Sequence, residues 1–198
     1  GADAIASIAP SFFKPGTVDE LVDFFAPICR AASELPFYYY NMPSITGVNL
    51  PVDKFLIEGK KKIPNLVGTK FMEMGACIGL EQHKFEVLHG FDEILIAGLS
   101  MGAVAGVGST YNYIPNVYHA IFESMKKNEV ETARAWQMKS IRTVEVIIKY
   151  GGGVRGGKAI MKLIGLDCGS CRLPIKAFST EEYEKLKGDL DAIKFFEF

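Results

Sequence analysis

The sequence predicts an α/β fold built on a parallel sheet, and three observations carry the prediction. Short apolar runs alternate with longer amphipathic stretches along the first 125 residues. Each strand, loop and helix cycle takes roughly 20 to 30 residues, too long for hairpins and suited to βαβ crossovers. The composition, 48% hydrophobic and 23% charged over 198 residues, is that of a chain that buries a core.

The elements follow in order. AIASIA (4–9) is a short apolar run closed by Pro10, and after KPGT comes TVDELVDFFAPICRAAS, with Leu21, Phe24, Phe25 and Ile28 at helical spacing. Thr17 and Glu20 form a capping box at its start, and Pro27 is expected to kink it. PFYYYN (36–41) is rich in β-formers, Val52 to Lys62 reads as a helix, and NLVGTKF (65–71), FEVLHG (85–90) and AGVGST (105–110) are further strands. From Asn116 onward only helices are expected: Val117 to Lys127, then Val130 to Tyr150 with Met138, Ile141, Val144 and Ile148 on one face, then a last helix opened by the capping box Ser179 and Glu182.

Charge and cysteine usage narrow the function classes. With 22 basic against 23 acidic residues the net charge is −1, so neither nucleic acid nor an anionic membrane is an expected partner, and a small-molecule ligand is. The uncharged stretch 94–122 is broken by Gly102, Gly106 and Gly108 and by STYNYIPN, so no membrane span is expected. Cys29, Cys77, Cys168 and Cys171 are too uneven for a disulfide framework, which points to a reducing, cytosolic compartment. The chain opens at Gly1 without an initiator Met, basic n-region or small-residue cleavage site, so either it is processed or it begins mid-protein.

Several motifs are weak. GGVRGGKA (152–159) fits G-x-x-x-x-G-K but places Ala159 where a phosphate loop needs a hydroxyl for Mg²⁺, and it follows a helical stripe, so it reads as a glycine turn between helices. Cys168 and Cys171 make one C-x-x-C without a second pair, and His83, His89 and His119 are scattered, so no metal site is expected. Lys60, Lys61 and Lys62 close a helix, where cations complement the dipole on a solvated face.

Lys70 is different, because a lysine in the last turn of an apolar strand is costly to bury unless it is paired or neutral. It stands at the C-terminal end of its strand, where parallel α/β proteins build active sites. The alternative is a side chain that snorkels to solvent. Tyr40 ends the preceding strand in the same way, and a neutral amine beside a phenol can form a Schiff base with a ketone and shuttle protons. Two further loops follow strand ends. Gly90-Phe91-Asp92-Glu93 offers amide donors and two carboxylates for a polyol, and Gly108-Ser109-Thr110 adds hydroxyls. Asp92 also fits a plain helix N-cap, and Ser109 a turn residue.

YYYNMPSITGVNL (38–50), VGTKF (67–71), HGFDEILIAGLSMGAVAGVGSTYN (89–112) and CRLPI (171–175) resemble the N-acetylneuraminate lyases, the sialic acid aldolases of the dihydrodipicolinate synthase superfamily. The resemblance runs over nearly the whole chain. It implies a (β/α)₈ TIM barrel of which this chain supplies about the last five strand-helix units plus C-terminal helices: 1–115 as partial barrel, 116–198 as helical extension. It further implies a cytoplasmic homotetramer with no metal or organic cofactor. Lys70 resembles the Schiff-base lysine and Tyr40 the catalytic tyrosine, while Gly90, Asp92, Glu93 and Ser109 resemble the residues that hold the sugar portion. The synthase branch has an arginine two positions after the proline of Tyr-Asn-x-Pro, and Ile45 stands there. The implied reaction is cleavage of N-acetylneuraminate to N-acetylmannosamine and pyruvate, as in sialic acid degradation.

The sequence also departs from the family. It contains no Gly-Thr-Thr-Gly-Glu segment, which in the family binds the pyruvate carboxylate; the connection from Lys70 to Gly90 is short; Met72 replaces a usual hydroxyl residue; and Phe12 and Phe13 stand where many members have tyrosines. Two other expectations therefore stand beside the lyase: a truncated, inactive isoform or assembly partner with an exposed first strand, and an aldolase acting on another sugar acid.

Overall fold

The computed structural model describes residues 1–70, 76 and 84–198. Met72, Cys77, His83 and most of the short connection after Lys70 lie outside these residues. Five strands, β1 (Ile5–Ile8), β2 (Phe37–Tyr40), β3 (Leu66–Lys70), β4 (Glu86–His89) and β5 (Ala105–Gly106), form one sheet in chain order, and every neighbouring pair is parallel. Parallel pairing in consecutive order is what the strand spacing predicts, and it fits the partial barrel that the resemblance implies. The described residues divide into two compact units. One comprises Gly1–Gly90 and Gly98–Gly106, the other Phe91–Ala97 and Val107–Phe198.

In the first unit the predicted helices form for the predicted reasons. Helix α1 (Val18–Arg30) starts at the reciprocal Thr17 and Glu20 cap and continues through Pro27. A four-residue helix, α2 (Pro43–Thr46), ends at Gly47 in the left-handed region, and α3 (Val52–Lys62) follows. Leu21 and Phe25 of α1, Phe55 and Leu56 of α3, and Phe37 and Tyr39 of β2 share one buried core. The rings of Phe25, Phe37, Tyr39 and Phe55 lie 4.7–5.7 Å apart, at tilted and edge geometries that aromatic quadrupoles favour. Lys60 is not a merely solvated charge: its ammonium donates to the carbonyls of Pro64 and Leu66, both at 2.8 Å, and so ties the end of α3 to the start of β3.

Alternation assigns the other sheet face. Phe37, Tyr39, Thr69 and Val87 are buried under the helices, so Tyr38, Tyr40, Gly68, Lys70, Glu86 and Leu88 point the opposite way. A bulge opposite Phe37 and Tyr38 shifts the β3 register, pairing Phe37 with Leu66 but Tyr38 with Gly68. Gly68 then pairs with Glu86 on its other side, and a Cβ there would fall 2.0 Å from the Glu86 carbonyl oxygen. With no side chain at Gly68, the Tyr38 hydroxyl reaches across and donates to the Glu86 carboxylate. Burial, then this bond and the charge of Glu86, push the Tyr38 phenol up to about 12.

The second unit holds most of the remaining helices. Helix α4 (Leu95–Ser100) is shared between the units, and α5 (Pro115–Lys126), α6 (Val130–Lys149), α7 (Gly152–Leu163) and α8 (Thr180–Ala192) follow, α8 with the predicted Ser179 and Glu182 cap. Two expectations are overturned. The 152–159 segment is helical, and the turn is made just before and at its start by Gly151 and Gly152, with φ of 88° and 75°. Glycines continue into α7 because neighbours come close: a Cβ on Gly156 would sit 3.1 Å from the Ile147 carbonyl, and one on Gly157 3.4 Å from the Tyr113 ring. The second correction concerns α6. Met138 and Ile148 are 45% and 67% exposed, while Gln137, Ser140 and Thr143 are buried. The inner face of this helix instead combines Ala133, Val146 and Ile147 with Gln137 and Ser140, the last two hydrogen-bonded to the loop at Asp92.

Two tests follow from the sheet. Gly68→Ala drives a Cβ into the β4 backbone, and a loss of about 3 kcal/mol of unfolding free energy or more is expected from urea denaturation; an unchanged midpoint would remove the close-approach account. Glu86→Gln keeps the burial but removes the charge, so ultraviolet titration should show the Tyr38 phenol ionising below its present value of about 12. Because that value is raised, the stability linked to it is complete below the free-phenol pKa of ~10 and is lost as pH climbs toward and through the folded value.

Candidate active site

Parallel pairing places Tyr40 directly beside Lys70 at the C-terminal ends of β2 and β3. The two strands are locked there by further bonds: the Asn41 amide donates to the Lys70 carbonyl at 3.1 Å, and the Thr69 hydroxyl donates to the Tyr39 carbonyl at 2.8 Å. Lys70 is 8% exposed. Its Nζ donates to the Tyr40 hydroxyl at 2.6 Å and lies 3.8 Å from the centroid of the same ring. The lysine therefore does not snorkel; it folds over the phenol. An amine in hydrogen-bond contact with a phenol, on the sheet face opposite Tyr39 and Thr69, has the two groups that carbinolamine chemistry requires: a nucleophile and a proton carrier. Gly90 follows β4 in the same unit.

Asp92, Glu93 and Ser109 belong to the second unit, and there the loop chemistry is unlike the N-cap alternative. Asp92 starts a 3₁₀ turn (Asp92–Ile94) whose N-cap is Phe91. Asp92 is 7% exposed, and its carboxylate accepts from the Thr110 amide at 3.0 Å and the Thr110 hydroxyl at 2.6 Å. Gly108 makes this possible, since a Cβ there would lie 1.5 Å from Asp92 Oδ1. Glu93 is half-buried beside it. Ser109 is also half-buried and accepts from Asn112 Nδ2 through its carbonyl at 2.9 Å. A Cβ on Gly153 would come 2.4 Å from the Ser109 hydroxyl, so the glycine-rich start of α7 makes room for this loop.

The residues missing from the sequence reading are those that hold Asp92. Gln137 Nε2 and Ser140 Oγ donate to the Asp92 carbonyl at 3.0 and 2.9 Å, and Tyr118 bonds both Ser140, at 2.8 Å, and Thr110. Only the polar residues at 137, 140 and 143, one per helical turn on α6, could have signalled them. Cys168 and Cys171 are free thiols, and among the described residues no group of three or more His, Cys, Asp or Glu is arranged to hold a metal ion. No helix among them is long and apolar enough to cross a membrane.

Residues 1–193 match the model of the dihydrodipicolinate synthetase family. N-acetylneuraminate lyase of Mus musculus is 39% identical over 98% of this chain and 63% of its own length. Among solved structures, N-acetylneuraminate lyase of Aliivibrio salmonicida superposes with a TM-score of 0.89 at 36% identity, over 97% of this chain and 65% of that one. A catalytic lysine mutant of Ruminococcus gnavus sialic acid aldolase gives 0.87 at 26% identity, over 98% and 65%. The chain thus spans somewhat less than two thirds of the length of these relatives. Its parallel β/α architecture, its match over 193 of 198 residues and its likeness to these structures lead to one classification: the chain belongs to the dihydrodipicolinate synthetase family.

Proposed function

We propose that this protein is a Schiff-base aldolase that cleaves N-acetylneuraminate to N-acetylmannosamine and pyruvate. The observation that carries the reading is the 2.6 Å bond between Lys70 Nζ and the Tyr40 hydroxyl at adjacent strand ends. The names of the relatives supply the substrate, and the catalytic lysine named for the Ruminococcus gnavus protein supports the role given to Lys70.

In this reading neutral Lys70 attacks the C2 ketone of the open-chain sugar acid. Tyr40 protonates the C2 hydroxyl of the carbinolamine, water leaves, and a protonated imine and a phenolate remain. The phenolate then takes the proton of the 4-hydroxyl as the C3–C4 bond breaks, with the bonding pair drawn into the imine to give an enamine. N-acetylmannosamine departs as the aldehyde. Protonation of the enamine at C3 and addition of water to the imine release pyruvate and regenerate the amine. Burial of Lys70 beside an aromatic ring suits this chemistry, since a cationic intermediate is favoured by the ring face. Gly90, Asp92, Glu93 and Ser109 are assigned to the hydroxyl-bearing part of the sugar, and Ile45 stands where the synthase branch carries its arginine for a second substrate carboxylate. A cytoplasmic homotetramer without metal or organic cofactor is part of the same proposal and rests on the family resemblance alone.

Incubation with pyruvate and borohydride should attach a reduced adduct to the peptide that contains Lys70, and Lys70→Ala should abolish it. Tyr40→Phe keeps the ring and removes the proton carrier, so kcat should fall by about 10²–10⁴. Folded protein that yields no adduct would sink the aldolase reading.

A further inference from the structure

The second unit contains a closed ring of polar contacts around one residue. Asp92 Oδ2 accepts from the Thr110 hydroxyl at 2.6 Å; the Thr110 oxygen meets the Tyr118 hydroxyl; Tyr118 meets Ser140 Oγ at 2.8 Å; and Ser140 returns to the Asp92 carbonyl at 2.9 Å. The ring therefore grips both the side chain and the backbone of Asp92. Gln137 adds a second grip: its Nε2 donates to the same carbonyl at 3.0 Å, and its Oε1 accepts from the Ile96 amide at 3.1 Å. Thr110, Ser140, Tyr118, Gln137 and Asp92 are all buried.

Proton counting gives the ring a direction. A carboxylate only accepts, so the single Thr110 proton goes to Asp92, and the Thr110 oxygen must then accept from Tyr118. That requires a neutral phenol at position 118. Burial drives the Tyr118 phenol upward, its bonds to Ser140 and Thr110 oppose this, and the charges of Asp92 and Glu93 reinforce it. The Ser140 proton is shared between the Tyr118 oxygen and the Asp92 carbonyl. All of this engages Oδ2 and the main chain. Oδ1 takes no part in the ring and packs close against Gly108.

We propose that Tyr118, Ser140 and Gln137 are positioning residues that fix Asp92 so that Oδ1 faces a hydroxyl of the polyol substrate. The proposal rests on the aldolase reading and adds the origin of sugar affinity in two helices, α5 and α6, that carry none of the substrate-contacting groups. Fixing a carboxylate in advance removes the cost of ordering it on binding, so the effect belongs to KM.

Tyr118→Phe is the clean variant, because the ring stays stacked on Tyr111 at 3.8 Å and only the hydroxyl is lost. Cleavage of N-acetylneuraminate and borohydride trapping with pyruvate alone are measured side by side in the protein and the variant. The expected result is a KM raised roughly tenfold, the scale of one buried hydrogen bond, with trapping preserved. Thr110→Val should repeat it and Thr110→Ser should stay near the parent; these two serve if Tyr118→Phe does not fold. An unchanged KM with trapping intact overturns the proposal and leaves the aldolase reading standing. Cleavage and trapping that fall together also overturn it, because they show a role in stability alone. Absence of trapping in the parent protein overturns the aldolase reading and this proposal with it.

Discussion

In a parallel sheet two side chains meet only if the register between their strands brings them to the same face at the same height. Tyr40 and Lys70 satisfy both conditions, and the chemistry of the first unit depends on it. The register is not set at the site itself. It is set two residues earlier, where the bulge near Val67 shifts β3 by one residue and Gly68 lets β4 approach without a clash. Without that shift Lys70 would exchange faces with Thr69 and enter the aromatic core under α1 and α3. The cost of burying a cationic nitrogen there would be prohibitive.

A different solution holds the second unit. Around Asp92 the contacts are hydrogen bonds in series, and they terminate on a helix that buries Gln137 and Ser140 among apolar neighbours. Such a network is worth having only when every member is satisfied, since a single unmet donor in the interior costs more than a formed bond contributes. Gln137 illustrates the economy of the arrangement: both ends of one amide are used, one to give and one to receive, and both on the same 3₁₀ turn and the helix that continues it.

Much of this was legible in the sequence, for identifiable reasons. The strands around Tyr39, Thr69 and Val87 are short apolar runs ending in polar residues, and the caps at Thr17 and Ser179 depend on local spacing alone, so both can be read from neighbouring letters. Lys70 and Tyr40 were legible because each breaks the apolar pattern of its strand at its C-terminal end. The polar face of α6 was not, because apolar periodicity points to Met138 and Ile148, and the partner that reverses the preference is a backbone carbonyl at Asp92, which has no signature in sequence. The glycine segment at 152–159 misled for a related reason. Glycine disfavours helix locally, and only the proximity of Tyr113, Ile147 and Ser109 makes its smallness an advantage.

That last point bears on how the second unit is assembled in time. Helix α7 spends four of its twelve residues on glycine, which forgoes roughly 2–4 kcal/mol of intrinsic helix stability relative to alanine. A helix so composed does not persist alone; it forms when the loop carrying Ser109 and the ring of Tyr113 are there to be packed against. The loop carrying Ser109 and the helix behind it are consequently one cooperative element, ordering and opening together, and amide exchange along α7 reports on the state of the loop.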